Sequence, residues 1–175
     1  MLAIPFLHSN SLIADISFEL KSSNNPQLSC FSYNPYLGVV KDNKNLDIQS
    51  DEFEITKDNR LILDGSITID FDGGILEAGA ANIDRDKDVI SFDNKGIIRL
   101  ESLLFGAKKG SINRNNQSIS LENGSIFLSD RSLFISFDQL DGDISKKIKI
   151  SNASMSSCGE PKHGWALKAK NILLN

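Results

Sequence analysis

A polar residue followed by glycine recurs between residues 61 and 150, and this repeat constrains the fold more than any other feature. Five copies are Asp64-Gly65, Lys95-Gly96, Lys109-Gly110, Asn123-Gly124 and Asp141-Gly142, and in each of them an isoleucine lies two residues after the glycine. Asn-Gly and Asp-Gly favour hairpin turns because both residues tolerate a positive φ. The sequence therefore predicts a turn at each copy.

Apolar and polar residues alternate after these copies. Ile67, Ile69 and Phe71 alternate with Thr68 and Asp70, and residues 133–137 repeat the pattern. Alternation with period two places one set of side chains on each face of a strand. Short strands with frequent turns favour a sandwich, jelly roll or open β-roll. Unequal spacing of the copies disfavours a parallel β-helix. The alanines in residues 75–83 are compatible with a helix as well as with a strand, and Gly79 favours the strand.

Composition narrows the functional classes. The net charge is −4 over 175 residues, and no basic stripe is present to hold nucleic acid. No apolar run reaches the length of a membrane helix. His8 and His163 are the only histidines, and neither accompanies a nucleophile motif. Cys158 and His163 supply only two of the four ligands of a structural zinc site. We expect no enzyme activity, metal or cofactor.

Three segments follow one another along the chain. Residues 1–14 are interpreted as the remnant of a signal peptide clipped after Ala14, with an N-terminal strand as the alternative. Residues 15–45 lack periodicity and form an irregular arm that carries Cys30. Residues 46–175 contain the repeated strands. Cys30 and Cys158 are the only cysteines, so at most one internal disulfide can form.

The C-terminal stretch carries a more specific signature. A predicted strand ends in Ser157-Cys158, a turn with Gly159 and Pro161 follows, and Trp165 leads the next strand. In these features, and in the strands upstream, the chain resembles the N-terminal periplasmic (OstA-like) domain of the LptD family. LptD proteins assemble lipopolysaccharide at the outer membrane. The resemblance extends from about Cys30 to Asn175.

The resemblance implies an all-β fold, an open antiparallel β-jelly roll (β-taco) of about ten short strands. It also implies an apolar groove that carries the acyl chains of lipopolysaccharide, on the periplasmic side of the outer membrane. An LptA-type bridge protein would dock by strand addition, and an LptE-type lipoprotein would bind the full-length protein with its C-terminal β-barrel. In the family the two corresponding cysteines pair with two cysteines late in the barrel; without those partners, Cys30 and Cys158 are expected to pair with each other.

One strand face is predicted to line this groove. Its residues are Leu61, Leu63, Ile67, Ile69 and Phe71, joined from neighbouring strands by Leu121, Leu133, Ile135 and Phe137. The opposite face carries Ile62, Asp64, Ser66, Thr68 and Asp70. Alternation alone describes a filled core equally well, because period two does not distinguish a groove from a core.

Two other classes of protein fit the same strands. A soluble bridge module of the LptA or LptC type would bind lipopolysaccharide, and a structural β-roll would need no lipid. For either lipid-transport role, the strand at residues 46–56 or at 165–174 should leave backbone groups unpaired, because an open edge accepts a partner strand.

Overall fold

The computed structural model describes residues 16–17, 46–100, 103–128, 133–144, 146–157 and 165–174. These residues form twelve strands and no helix. The strands are β1 (Ile16–Ser17), β2 (Asp47–Gln49), β3 (Glu52–Ile55), β4 (Arg60–Phe71), β5 (Gly74–Asp84), β6 (Val89–Phe92), β7 (Gly96–Leu100), β8 (Leu103–Asn113), β9 (Ser118–Leu128), β10 (Leu133–Asp143), β11 (Lys147–Ser156) and β12 (Leu167–Leu174).

All strands pair antiparallel in one sheet. The order is β1-β12-β11-β10-β9-β8-β6-β5-β4-β2. Two short strands lie off this path: β3 pairs with β4, next to β2, and β7 pairs with both β5 and β8, next to β6. Among the described strands, β2 and β3 have only β4 as a neighbour, and β12 pairs on its outer side with two residues of β1. In the described part of the chain the sheet is therefore open: residues 46–56 lie at one edge, as predicted, whereas at the other edge β1 pairs with Lys168 and Ala169 and leaves the rest of β12 without a described outer neighbour.

The predicted turn positions are wrong. Gly65, Gly110, Gly124 and Gly142 lie inside strands β4, β8, β9 and β10, and Gly96 begins β7. Described turn residues lie instead at 57–58, 72–73, 85–88, 114–117, 144 and 146. The long strands therefore have 10 to 12 residues each, longer than predicted. Residues 75–83 lie in β5, which confirms the preference for strand.

Four of the five polar-glycine copies lie in or directly beside a line of irregular pairing across the sheet, which we call the crease, whereas Asp141-Gly142 lies in regularly paired strand. The crease comprises residues 64–67, 78–81, 92–96, 107–109, 122–124, 136–139, 151–154 and 169–171. Gly65 has φ 94° there, and Asn123 and Asn152 each have φ 51°. The tolerance of these residues for positive φ is used inside strands rather than at hairpin turns, and at Gly65 the pairing of β4 with β5 shifts register as in a β-bulge. Bulges bend strands and increase their twist.

Each strand shifts its inward face at the crease. Buried side chains there are three residues apart rather than two, as in Phe137 and Leu140 of β10 and in Ile150 and Ala153 of β11. This extra residue keeps apolar side chains inward on both sides of the bend. The crease divides the sheet into two parts. The first limb is the part that contains β3 and β6, and the second limb is the part that contains β2 and β7.

The two limbs share one hydrophobic core. Leu140 and Ile90 of the first limb are fully buried, and so are Ile69, Leu76 and Phe105 of the second. Burying such side chains contributes about 1.5–3 kcal/mol each. The bent sheet thus covers its own apolar face, which explains how a single sheet makes a stable domain.

Candidate functional site

The predicted groove residues all lie on the inward face. Those at most 5% exposed are Leu63, Ile67, Ile69, Phe71, Leu121, Ile135 and Phe137, whereas Leu61 and Leu133 are half-buried. On the opposite face, Ile62 is 41% exposed. The assignment of faces along β4 therefore agrees with the structure. Contact of these nine side chains with lipid stays a prediction, because most of them are packed inside the core.

The interior of the domain opens to solvent between the two limbs, not along the strand face predicted to line a groove. One cavity of about 540 Å³ is lined by Phe53, Ile55 and Leu61 of the first limb and by Ile48 of the second. Phe53 and Ile55 pair with Leu63 and Leu61, so they share the inward face. They are nevertheless 69% and 59% exposed. At this end, inward apolar side chains reach solvent.

A second cavity shares two lining residues with the first. Its volume is about 460 Å³, and it lies between Phe71 and Leu100 of the second limb and Ile112 of the first. Asp88 and Arg114 line both cavities. We call the two cavities together the slot.

The sequence prediction did not include Phe53 and Ile55. The signal was present, because alternation over residues 46–56 places both on one face. Their exposure depends on β3 lying at the edge of the sheet, which the local sequence does not determine.

Charged side chains surround the mouth of the slot. Arg114 Nη1 lies 3.5 Å from Asp88 Oδ1, and Lys87 Nζ lies 3.2 Å from Asp84 Oδ2. The pKa of Asp84 is lowered by hydrogen bonds from the backbone and side chain of Lys87. Arg85 has no ion-pair partner among the described residues. The mouth is therefore a polar rim around an apolar interior.

A larger cavity, of about 1200 Å³, involves the outward face of the second limb. Gly106, Ser125, Ser136 and Ser154 form a row of small residues across it, and Lys108 stands at its side. Ala107, Phe134 and Phe137 line the cavity as well, so its wall combines hydroxyl groups with apolar side chains.

Other predicted features are located as follows. In the described part of the chain, no group of three His, Cys, Asp or Glu side chains is placed to hold a metal. None of its elements is a helix long and apolar enough to cross a membrane. Trp165, two residues before β12, is 38% exposed. Cys30 and Cys158 lie outside the described residues, as do most of residues 1–45, so the disulfide and the arm stay predictions.

These features define an open antiparallel β-jelly roll whose apolar interior is reached through a slot. No protein-family model and no curated protein matches the sequence. Among solved structures, the chain is similar to LptH of Pseudomonas aeruginosa, the LptA-homologous periplasmic component of its lipopolysaccharide transport device. The TM-score is 0.53 at 9% identity, and the match covers 60% of this chain and 80% of LptH. This likeness confirms the predicted fold class.

Proposed function

We propose that the chain binds the acyl chains of lipopolysaccharide and takes part in lipopolysaccharide transport through the periplasm. The observation that carries the proposal is the slot, where inward-facing Phe53 and Ile55 are 69% and 59% exposed beside a continuous apolar core. Exposed apolar patches of this kind mark binding surfaces. The likeness in fold to a lipopolysaccharide-transport component supports the choice of ligand.

Acyl chains suit this surface because their binding needs no specific polar partner. Each methylene group that leaves water contributes about 0.8 kcal/mol. Several chains on one glycolipid therefore add up to strong binding. The side chains nearest the slot, Phe53, Ile55 and Leu61, would be the first to contact the lipid.

The more specific role we propose is that of an LptD-type periplasmic domain on the inner side of the outer membrane. Such a domain would receive lipopolysaccharide from an LptA-type bridge and pass it to a barrel that binds an LptE-type lipoprotein. The Ser157-Cys158 and Trp165 signature supports this role. An LptA-like bridge module is the second candidate, and the LptH likeness and the open edge at β2 and β3 favour it.

Photo-crosslinking tests the lipid site with two adjacent apolar positions. A photoreactive residue at Leu61 should crosslink to lipopolysaccharide, because Leu61 faces the slot. The same residue at Ile62 should not, although Ile62 is 41% exposed, because its side chain points to the opposite face. Equal labelling at both positions, or no labelling of folded protein at either, would contradict the proposal and favour a structural β-roll.

Self-association separates the translocon role from the bridge role. A bridge module should assemble head to tail with rising concentration, because the edge at β2 and β3 can pair with residues 170–174 of β12 in another copy, which no described strand covers on the outer side. A translocon domain should instead stay monomeric and bind one LptA-type partner. Sedimentation velocity over a hundredfold concentration range measures the difference, and concentration-dependent oligomers would exclude the translocon role as stated.

A further inference from the structure

We propose that Arg85 and Arg114 at the mouth of the slot bind the phosphate group of an acylated lipid whose chains occupy the slot. This inference rests on the proposed function and adds a polar subsite to it. Both arginines line the same cavity as Phe53 and Leu61. The apolar wall and the cationic rim together match an amphiphile with an anionic headgroup.

The backbone holds both arginines at one end of the first limb. Arg85 directly follows β5 and its N–H donates to the carbonyl of Asn59 at 3.4 Å. Arg114 directly follows β8 and its N–H donates to the carbonyl of Asp88 at 3.0 Å. These two hydrogen bonds connect neighbouring turns, so the two guanidinium groups lie on the same surface.

The charge balance at this surface leaves Arg85 available. Three acidic residues, Asp84, Asp86 and Asp88, lie in the adjacent turn, and each has a partner. Asp84 pairs with Lys87 at 3.2 Å, and Asp86 accepts a hydrogen bond from the Asn59 side chain at 2.6 Å. Asp88 pairs with Arg114, but at 3.5 Å, which is longer than a good charge-assisted hydrogen bond.

A phosphate group would give Arg85 a partner, and Arg114 would share its guanidinium group between the phosphate and Asp88. Arg85 has no carboxylate partner to lose among the described residues. The side chain of Arg114 is 21% exposed, so an added anion would meet a partly desolvated guanidinium. Planar guanidinium groups bind phosphate oxygens through two parallel hydrogen bonds. The exposed Phe53 and Ile55 alongside favour a lipid over a free anion.

Binding of two lipids to the full chain tests this site. The probes are diphosphoryl lipid A and an uncharged glycolipid with the same acyl chains, both dispersed in a neutral detergent. Arg85→Gln/Arg114→Gln should weaken lipid A binding roughly tenfold or more and leave the uncharged glycolipid unaffected. Lys147→Gln/Lys149→Gln is the matched control, because it removes the same charge from the exposed outward face of β11.

The outcomes separate the two proposals. Unchanged lipid A binding by the arginine variant, or an equal loss in the lysine control, would overturn the phosphate site while lipid binding stands. Failure of the folded wild-type chain to bind either lipid would overturn the proposed function and this site together. If inorganic phosphate at the same concentration as lipid A displaced the lipid, the arginines would be a site for a free anion, and the proposal that they bind a lipid headgroup would be overturned.

Discussion

Ile69→Asp is expected to unfold the domain. Ile69 is fully buried, and its neighbours across the sheet are Ile48 and Leu76. A carboxylate there would have no described partner, and burying an unpaired charge costs many kcal/mol. The whole stability of a domain is only about 5–15 kcal/mol. Circular dichroism should show loss of the β spectrum, or a melting temperature too low to measure.

Thr68→Asp is the matched control on the opposite face of β4. Thr68 lies between Gln49 and Glu77, so repulsion from Glu77 should cost about 1 kcal/mol at most. Unfolding by both substitutions would contradict the assigned faces. Loss of lipid binding in the Ile69 variant would report loss of the fold, so lipid contact has to be measured at the slot.

Gly124→Ala is expected to destabilise the domain by about 3 kcal/mol, because the crease has no room for a Cβ atom at this position. That atom would collide with the carbonyl oxygen of Gly106. It would also lie 2.8 Å from the Phe137 ring and 3.1 Å from the Cα atom of Ala107. Backbone atoms cannot move aside as a flexible side chain can. Urea unfolding monitored by fluorescence or circular dichroism measures the loss.

Gly106→Ala provides the comparison one strand away. A Cβ at Gly106 would meet only the Ser125 hydroxyl, at 3.8 Å, which is ordinary van der Waals contact. We expect a change within about 0.5 kcal/mol. If Gly124→Ala proved equally mild, strand pairing at the crease would have to be looser than the structure has it.

The sequence by itself determined the fold class and the two faces of β4. Ile67, Ile69 and Phe71 could be placed on one face because alternation is a local property of two successive residues. The same reasoning placed Phe137 inward, 5% exposed. Mixed charge and scattered carboxylates also predicted the absence of an enzyme site, which stays a prediction.

The meaning of the glycine repeat was decided only by the tertiary structure. Asn123-Gly124 tolerates positive φ, and both a hairpin turn and a bulge use that property. Pairing with β8 and β10 on either side makes this copy part of the crease. No sequence window contains that information, because the partner residues Ala107 and Phe137 lie 17 and 13 positions away from Gly124.

The slot likewise exists only in three dimensions. Phe53, Ile55, Arg85 and Arg114 come from separate segments, and the bend of the sheet brings them to one opening. Alternation describes which way a side chain points relative to its own strand. Whether that side chain meets another limb or solvent depends on where the strand lies in the sheet and on where the sheet ends. For this reason the core was predictable from the sequence, and its opening was not.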